Sequence, residues 1–272
     1  HGNMHGVFEF FTTMKKNDIK PIFGCETYLA PESRHTKNAN QKNCKGFHQL
    51  LFAANFEGYQ NLCRLNAIAN LEGYYYKPRI DKEVLTAHSK GIIGTTSCIG
   101  GEIPQHILEG QMDKARAAID DYVQILGKEN FFLELQDHGM EQQHKVNKEL
   151  IKISKEMNLK LMATNDVHYP TLETASSHEV LLCIGTGKTM LDANRMKFPS
   201  EDFYVKTPEQ MAQIFGEVPE ALSNTLLIAE MCNVALETGV NHYPVYQPDD
   251  GSDREEYILK QCKRGLVEHY KL

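Results

Sequence analysis

Asp166 and His168 stand two residues apart in LMATNDVHYP, directly after an apolar run that reads as a buried strand. Alternate side chains of an extended backbone point the same way, so this carboxylate and imidazole reach one point. A strand's C-terminal end is where α/β barrels carry their active sites, and O and N donors there suit a divalent transition metal. A capping aspartate and a hydrogen-bonded histidine at a turn is the equally open alternative. Cys98 repeats the arrangement in GIIGTTSCIGGEIPQ, where an apolar strand leads to a thiol, then Gly100–Gly101 and a helix. Its thiolate is a zinc donor, and its thiol is otherwise a small buried hydrophobe. Glu26 follows a third apolar segment in IKPIFGCETYLA. An isolated glutamate at a loop start is usually solvated. His48 opens the run HQLLFAA instead of closing one, so the strand-end argument does not reach it and pattern makes it structural or exposed. His1 begins the chain, and pattern does not place it.

These residues need elements to position them. Apolar periodicity predicts a helix over 6–17, with Val7, Phe10, Phe11 and Met14 on one face, then a strand IKPIFG. Residues 31–46 are polar and marked by Pro and Gly, so they form a surface loop. A strand HQLLFAA and a helix over 57–70 come next. Beyond them lie a strand over 91–97, helix 111–127, strand 131–135, helix 141–157, strand 159–164 and a helix over 171–184. This alternation predicts parallel strands covered by helices, as a barrel or an open sheet. Past residue 195 the strands stop, and 207–214, 217–236 and 253–270 are expected to be helical. HYPVYQPDDGSD (242–253) has linker composition.

The bulk properties narrow the class. Seven cysteines, an odd number with no CxxC pair, argue against a disulfide framework or a zinc ribbon and for a reducing cytosol. No apolar run is long enough to span a bilayer, and no leader peptide is visible. The net charge of -7 excludes a strongly basic stand-alone nucleic-acid binder, so any grip on DNA phosphates is local or comes from elsewhere. The chain lacks an initiator methionine and ends within a helical pattern, so it is expected to be cut from a longer protein.

Two motifs are weighed separately. GTGKT (185–189) imitates a phosphate loop, but Leu182 stands where that loop needs glycine, and a helix precedes it. YYYKPRID (74–81) mixes aromatic rings with Lys77 and Arg79, which suits single-stranded DNA. A tyrosine-packed loop with solvated charges is the favoured reading.

The chain resembles a known family along nearly its whole length. HGNMHGVFEF, KPIFGCETYLAP, FHQLLFAANFEGYQNL, LEGYYYKPRIDKEVL, GTTSCIGGEIPQ, FFLELQDHG and MATNDVHYP are similar, in order, to blocks of the PHP (polymerase and histidinol phosphatase) domains of bacterial DNA polymerase III alpha subunits. LLCIGTGKTMLD and FPSEDFYVKTPEQM resemble the segments that succeed those blocks in these polymerases. The resemblance implies a distorted TIM-like α/β barrel over 1–195, lacking its first strand or strands. A helical extension over 196–241 and a linker with the start of the polymerase region over 242–272 would complete the chain.

It also implies a ligand set. His1 matches the histidine of the Asp-His-Gly-Asn block, Glu26 the Gly-Cys-Glu glutamate, and His48 the histidine before the apolar strand. Cys98 matches the Cys-x-Gly-Gly-Glu cysteine, and Asp166 and His168 the Asn-Asp-x-His block. Glu134 and His138 would lie nearby and orient the ligands. The implied cofactor is a cluster of two or three divalent metals, zinc first, with manganese or iron as alternatives. In some members the cluster hydrolyses DNA 3′ to 5′. The family's His-x-His strand and its polymerase aspartates are absent here, so this chain is expected to hold part of the site and not to polymerise DNA.

The whole protein would be a cytoplasmic DNA-directed DNA polymerase using magnesium. Its partners would be primer–template DNA, nucleotides, the sliding clamp and a proofreading exonuclease subunit. Two alternatives stay open: a non-catalytic barrel that docks the separate exonuclease, and a stand-alone PHP phosphatase such as histidinol phosphatase.

Overall fold

The computed structural model describes residues 1–271. They divide into two compact units, 1–235 and 236–271. The first unit opens with α1 (Val7–Lys16), β1 (Gly24–Leu29), β2 (Phe47–Ala53), α2 (Phe56–Leu71), β3 (Arg79–Ile80) and α3 (Lys82–Ala87). It continues with β4 (Ile92–Thr95), α4 (Glu102–Leu108), α5 (Met112–Leu126), β5 (Phe131–Gln136), α6 (Glu141–Met157) and β6 (Lys160–Thr164). Then come α7 (Ala175–Thr186), α8 (Pro208–Phe215) and α9 (Pro219–Met231). The second unit contains α10 (Arg254–Tyr270), whose N-terminal turn is capped by the Asp253 carboxylate.

The six strands form one sheet in the order β3-β1-β2-β4-β5-β6. β1 and β3 are parallel, as are β4, β5 and β6, while β2 runs antiparallel to both of its neighbours. Among the described residues no ladder joins β3 to β6. The architecture is mixed α/β, as expected for a PHP barrel-like domain.

Register sorts the side chains. Glu26 pairs with Leu50 and Gly24 with Phe52, Phe52 pairs with Ile93, Thr95 with Phe132, Glu134 with Met162, and Gln136 with Thr164. Side chains alternate along a strand, so all of these share one face. That face is divided. Towards the start of β4–β6 it is apolar: Ile93, Phe132 and Met162 pack against Ile228 of α9 and Cys232 just beyond it. Asn224 Nδ2 of α9 also donates to the Leu161 carbonyl (2.7 Å). Towards the end of β4–β6 the same face turns polar, with Thr95, Glu134, Gln136 and Thr164.

The opposite face carries Leu51, Phe131, Leu133, Leu135 and Leu161, all buried. Two helices covering it are amphipathic at the helical period. α5 buries Ala115, Ala118, Ile119, Tyr122 and Leu126, and α6 buries Val146, Leu150 and Ile153.

Three sequence expectations are corrected. IKPIFG is not the strand; β1 begins at Gly24, where pairing with β2 begins, and Glu26 lies inside it. Residues 79–80 form a short strand instead of loop, and α3 comes directly after, capped by the Asp81 carboxylate on Val84 N–H (3.1 Å). Arg79 is not a DNA contact. It is fully buried (0% exposed), and its guanidinium donates to the carbonyls of Gly73, Cys44, Arg34 and Thr36 at 2.8–3.1 Å. It staples the 31–46 loop to the sheet edge, with four of its five N–H donors engaged. GTGKT, discounted as a phosphate loop, is the end of a helix: α7 stops at Gly187 in the left-handed conformation, and Lys188 N–H bonds back to the Cys183 carbonyl. Its amides therefore face a helix C-terminus and form no anion cradle.

Candidate metal centre

The reversal of β2 explains His48. It lies near the beginning of a strand, but that beginning meets the ends of β1 and β4. His48 N–H donates to the Gly100 carbonyl (2.9 Å), which fastens the start of β2 to the loop after β4. That loop carries Cys98. Gly100 permits the approach: a β-carbon there would lie 3.1 Å from Cγ and Nδ1 of His48.

Three donors meet here. His48 Nδ1 is 2.9 Å from Glu26 Oε1 and 3.3 Å from Cys98 Sγ. Glu26, His48 and Cys98 place one donor atom each within 4.8 Å of the others. The second Glu26 oxygen, Oε2, is 2.9 Å from His1 Nδ1. His1 is held in turn by the Gly2 N–H bond to the Glu26 carbonyl (2.8 Å).

The remaining pair comes from the end of β6. Asp166 adopts φ +39°, in the left-handed region that aspartate tolerates better than most residues. His168 Nε2 is 3.4 Å from Asp166 Oδ1, and its ring centre is 6.1 Å from that of His1. Five of the six residues expected to be ligands, all but His48, line one cleft of about 390 Å³ with Glu134, Gln136, Thr164 and Ser97. His48 abuts the cleft through Glu26 and Cys98.

The electrostatics are those of a close ion pair between Glu26 and His48. Burial alone would raise the Glu26 carboxyl, but the His48 hydrogen bond and charge bring it well below the ordinary carboxylate range, to about 2. The hydrogen bonds from His48 to Cys98 and Glu26 outweigh burial and raise the imidazole to about 10. One proton on Nδ1 thus faces a carboxylate and a sulfur together, where a cation would satisfy both. Imidazole, carboxylate and thiol at these separations form a mixed N/O/S donor set that fits zinc-type metals.

Glu134 stands at the centre of the polar half of the sheet face. It is buried, and burial pushes its carboxyl up against the hydrogen bonds of Thr164, Thr95 and Gln136, with Asp166 adding to the rise. Thr95 and Thr164 hydroxyls both donate to it, and Gln136 Nε2 donates to Oε1 (3.0 Å). His138 touches no ligand side chain. Its Nε2 meets the Asn165 carbonyl (2.8 Å), Gln143 Nε2 meets its Nδ1 (2.8 Å), and it stacks on Phe203 at 4.1 Å. It therefore fixes the peptide that leads into Asp166. Sequence reasoning misses Thr95 and Thr164. Their signal is a hydroxyl closing each of two apolar strands.

Comparison with known proteins agrees with this geometry. A family model described as PHP domain matches residues 1–138, half of the chain. Similar proteins include the DNA polymerase III subunit alpha of Treponema pallidum (40% identical over 99% of this chain and 23% of that protein). That of Borreliella burgdorferi is 43% identical over 100% of this chain and 24% of that protein. That of Thermus aquaticus is 41% identical over 99% and 23%. The chain thus spans about a quarter of the length of these relatives. No helix among the described residues is long and apolar enough to cross a membrane. A family match over 1–138 and whole-chain similarity to these polymerase subunits establish that the chain belongs to the PHP domain family.

Proposed function

We propose that this chain is the metal-binding PHP part of a bacterial replicative DNA polymerase III alpha subunit, and that its cleft hydrolyses phosphodiester bonds from DNA 3′ ends. The observation that carries this reading is the convergence of Glu26, His48 and Cys98, with His1 on the free oxygen of the same glutamate. Glu26, His48 and Cys98 would hold a cation together, and His1, Asp166 and His168, which line the same cleft, would hold any further one. Bound divalent metals supply a water acidic enough to attack phosphorus and offset charge on the leaving 3′ oxygen.

The chain's own residues do the rest. Glu26 and Asp166 supply negative charge that holds the cations in the cleft. Glu134, braced by two threonine hydroxyls, stands beside Asp166 and can receive a proton, because burial has already raised its carboxyl. His138 and Asn165 keep the Asp166 turn in place. Zinc fits the donor set, with manganese or iron as alternatives.

For the whole protein, the similarity supports a DNA-directed DNA polymerase of the cytoplasm. Its partners would be primer–template DNA, nucleotides with magnesium, the sliding clamp and a proofreading exonuclease subunit. On this reading 1–195 is the PHP domain, 196–241 its helical extension and 242–272 the approach to the polymerase region.

The test is elemental analysis and a 3′-labelled oligonucleotide assay on the full-length protein purified without chelator, beside its Asp166→Asn variant. Stoichiometric metal and chelator-sensitive release of terminal nucleotides, lost in the variant, are expected. Absence of stoichiometric metal would sink the reading and leave a non-catalytic scaffold.

A further inference from the structure

The hairpin at 74–78 lies outside the cleft lining, yet it is built against two ligand-bearing segments. A bridge pairs Tyr75 with Lys77 and turns the chain at Tyr76, whose φ is +60°. That conformation is costly for an aromatic residue and persists only where its surroundings enforce it. The enforcement is visible. Behind the turn, the Arg79 guanidinium lies 5.2 Å from the Tyr75 ring centre and is locked to four carbonyls. Pro78 packs on Gly2, next to His1: a β-carbon at Gly2 would come within 2.7 Å of Pro78 Cγ. Lys77 Nζ lies 5.1 Å from the centre of the Tyr28 ring, which meets the His48 ring edge-on at 5.3 Å. Lys45, three residues before His48, places its Nζ 5.6 Å from the Tyr76 ring centre.

A fixed rim therefore stands beside His1 and His48, presenting two rings, Tyr74 and Tyr76, that are 54% and 58% exposed. Two ammonium groups accompany them. The Tyr76 ring packs edge-on against Tyr75 at 4.7 Å, yet it and Tyr74 keep more than half of their surface open. Stacking rings alternating with cations match a polyanion that carries flat bases. An apolar protein partner would not call for the lysines.

We infer that the Tyr74–Lys77 hairpin is a platform for single-stranded DNA, which positions the strand whose 3′-terminal phosphodiester enters the metal cleft. Bases stack on Tyr74 and Tyr76, and the backbone meets Lys77 and Lys45. The direction of the strand rests on the nuclease reading; the binding itself does not. These are positioning residues.

The test is photocrosslinking of the full-length protein to a single-stranded oligonucleotide carrying 5-iododeoxyuridine, with the adduct mapped by peptide mass spectrometry. The informative variant is Tyr76→Gly, because glycine accepts the left-handed turn and keeps the fold. Lys77→Ala is its companion. Expected are adducts on Tyr74 or Tyr76, about tenfold weaker crosslinking at the hairpin in the variants, and unchanged bound metal. In a nuclease-active protein, KM for single-stranded DNA rises while hydrolysis of a nucleotide p-nitrophenyl ester is unchanged. Adducts that map only elsewhere and ignore both variants overturn the proposal, as does a hairpin that captures a protein and no DNA. Hairpin adducts in a protein without hydrolysis support the platform and sink the nuclease reading alone.

Discussion

Glu26 and His48 sit diagonally across the antiparallel β1–β2 pair, on one face, with Oε1 2.9 Å from Nδ1. Diagonal positions in such a pair are within reach of long side chains. The contact is thus set by strand register and not by a loop. It joins the reversed strand of the sheet to a glutamate whose other oxygen meets His1.

Removing the Glu26 charge should disrupt the site. Glu26→Gln preserves size but removes one negative charge and replaces one of the two acceptor oxygens with an amide donor. We expect metal affinity to fall by about tenfold or more, measured by competition with a chromophoric chelator, while circular dichroism stays unchanged.

The pair also makes the stability of the metal-free protein pH-dependent. Glu26 titrates near 2 when folded, against an ordinary 4.5, so its contribution is present above 4.5 and is lost as pH falls towards 2. His48 titrates near 10, against 6.5, so its contribution is complete below 6.5 and is lost as pH rises through 10. The two overlap fully between about 4.5 and 6.5. Urea midpoints of wild type and Glu26→Gln, both metal-free, should differ more at about pH 5.5 than at about pH 8.5. Equal gaps at the two pH values would refute the charged pair.

Gly100 is needed for its lack of a side chain. In Gly100→Ala the new methyl meets the His48 ring at 3.1 Å, so the ring must give by a few tenths of an ångström beside Glu26 and Cys98. The chain should still fold and bind metal about tenfold more weakly. Unaltered metal affinity would show that the ring can shift without cost.

Arg79 should behave as a structural residue. Arg79→Met leaves four carbonyls, one buried and three part-buried, without their donor and should cost about 3 kcal/mol by chemical denaturation. Arg79→Lys should rescue little, because an ammonium cannot span carbonyls placed for a planar fork. A selective loss of DNA binding at full stability would argue instead for a phosphate contact.

The legible part of the sequence is its periodicity. α5 and α6 and the strands at 92–95, 131–136 and 160–164 show their buried faces directly, whereas α1 is legible as a helix but buries only Phe11 of its apolar face. Asp166 and His168 are readable because they come just after such a strand. Strand direction is not written in periodicity, so His48 gains a place only from resemblance, and its physical reason emerges with the reversal of β2. Arg79 misleads because a charged residue among tyrosines looks solvated. Its burial depends on carbonyls from separate stretches of chain. Glu134 is placed near the site by resemblance alone, since the hydroxyls that brace it come from neighbouring strands.

The division of one sheet face into an apolar half under α9 and a ligand half bears on where this protein can be cut. The match to the family model ends at residue 138, just after β5. A polypeptide stopped there would make β5 an open edge and bare Phe132, which Met162 and Ile228 cover in the intact chain. It would also forfeit Asp166 and His168. The compact unit, residues 1–235, is longer than the stretch that matches the family pattern. A recombinant domain boundary drawn at the end of that match would give an aggregation-prone product, whereas one drawn after residue 235 keeps floor and ligands together.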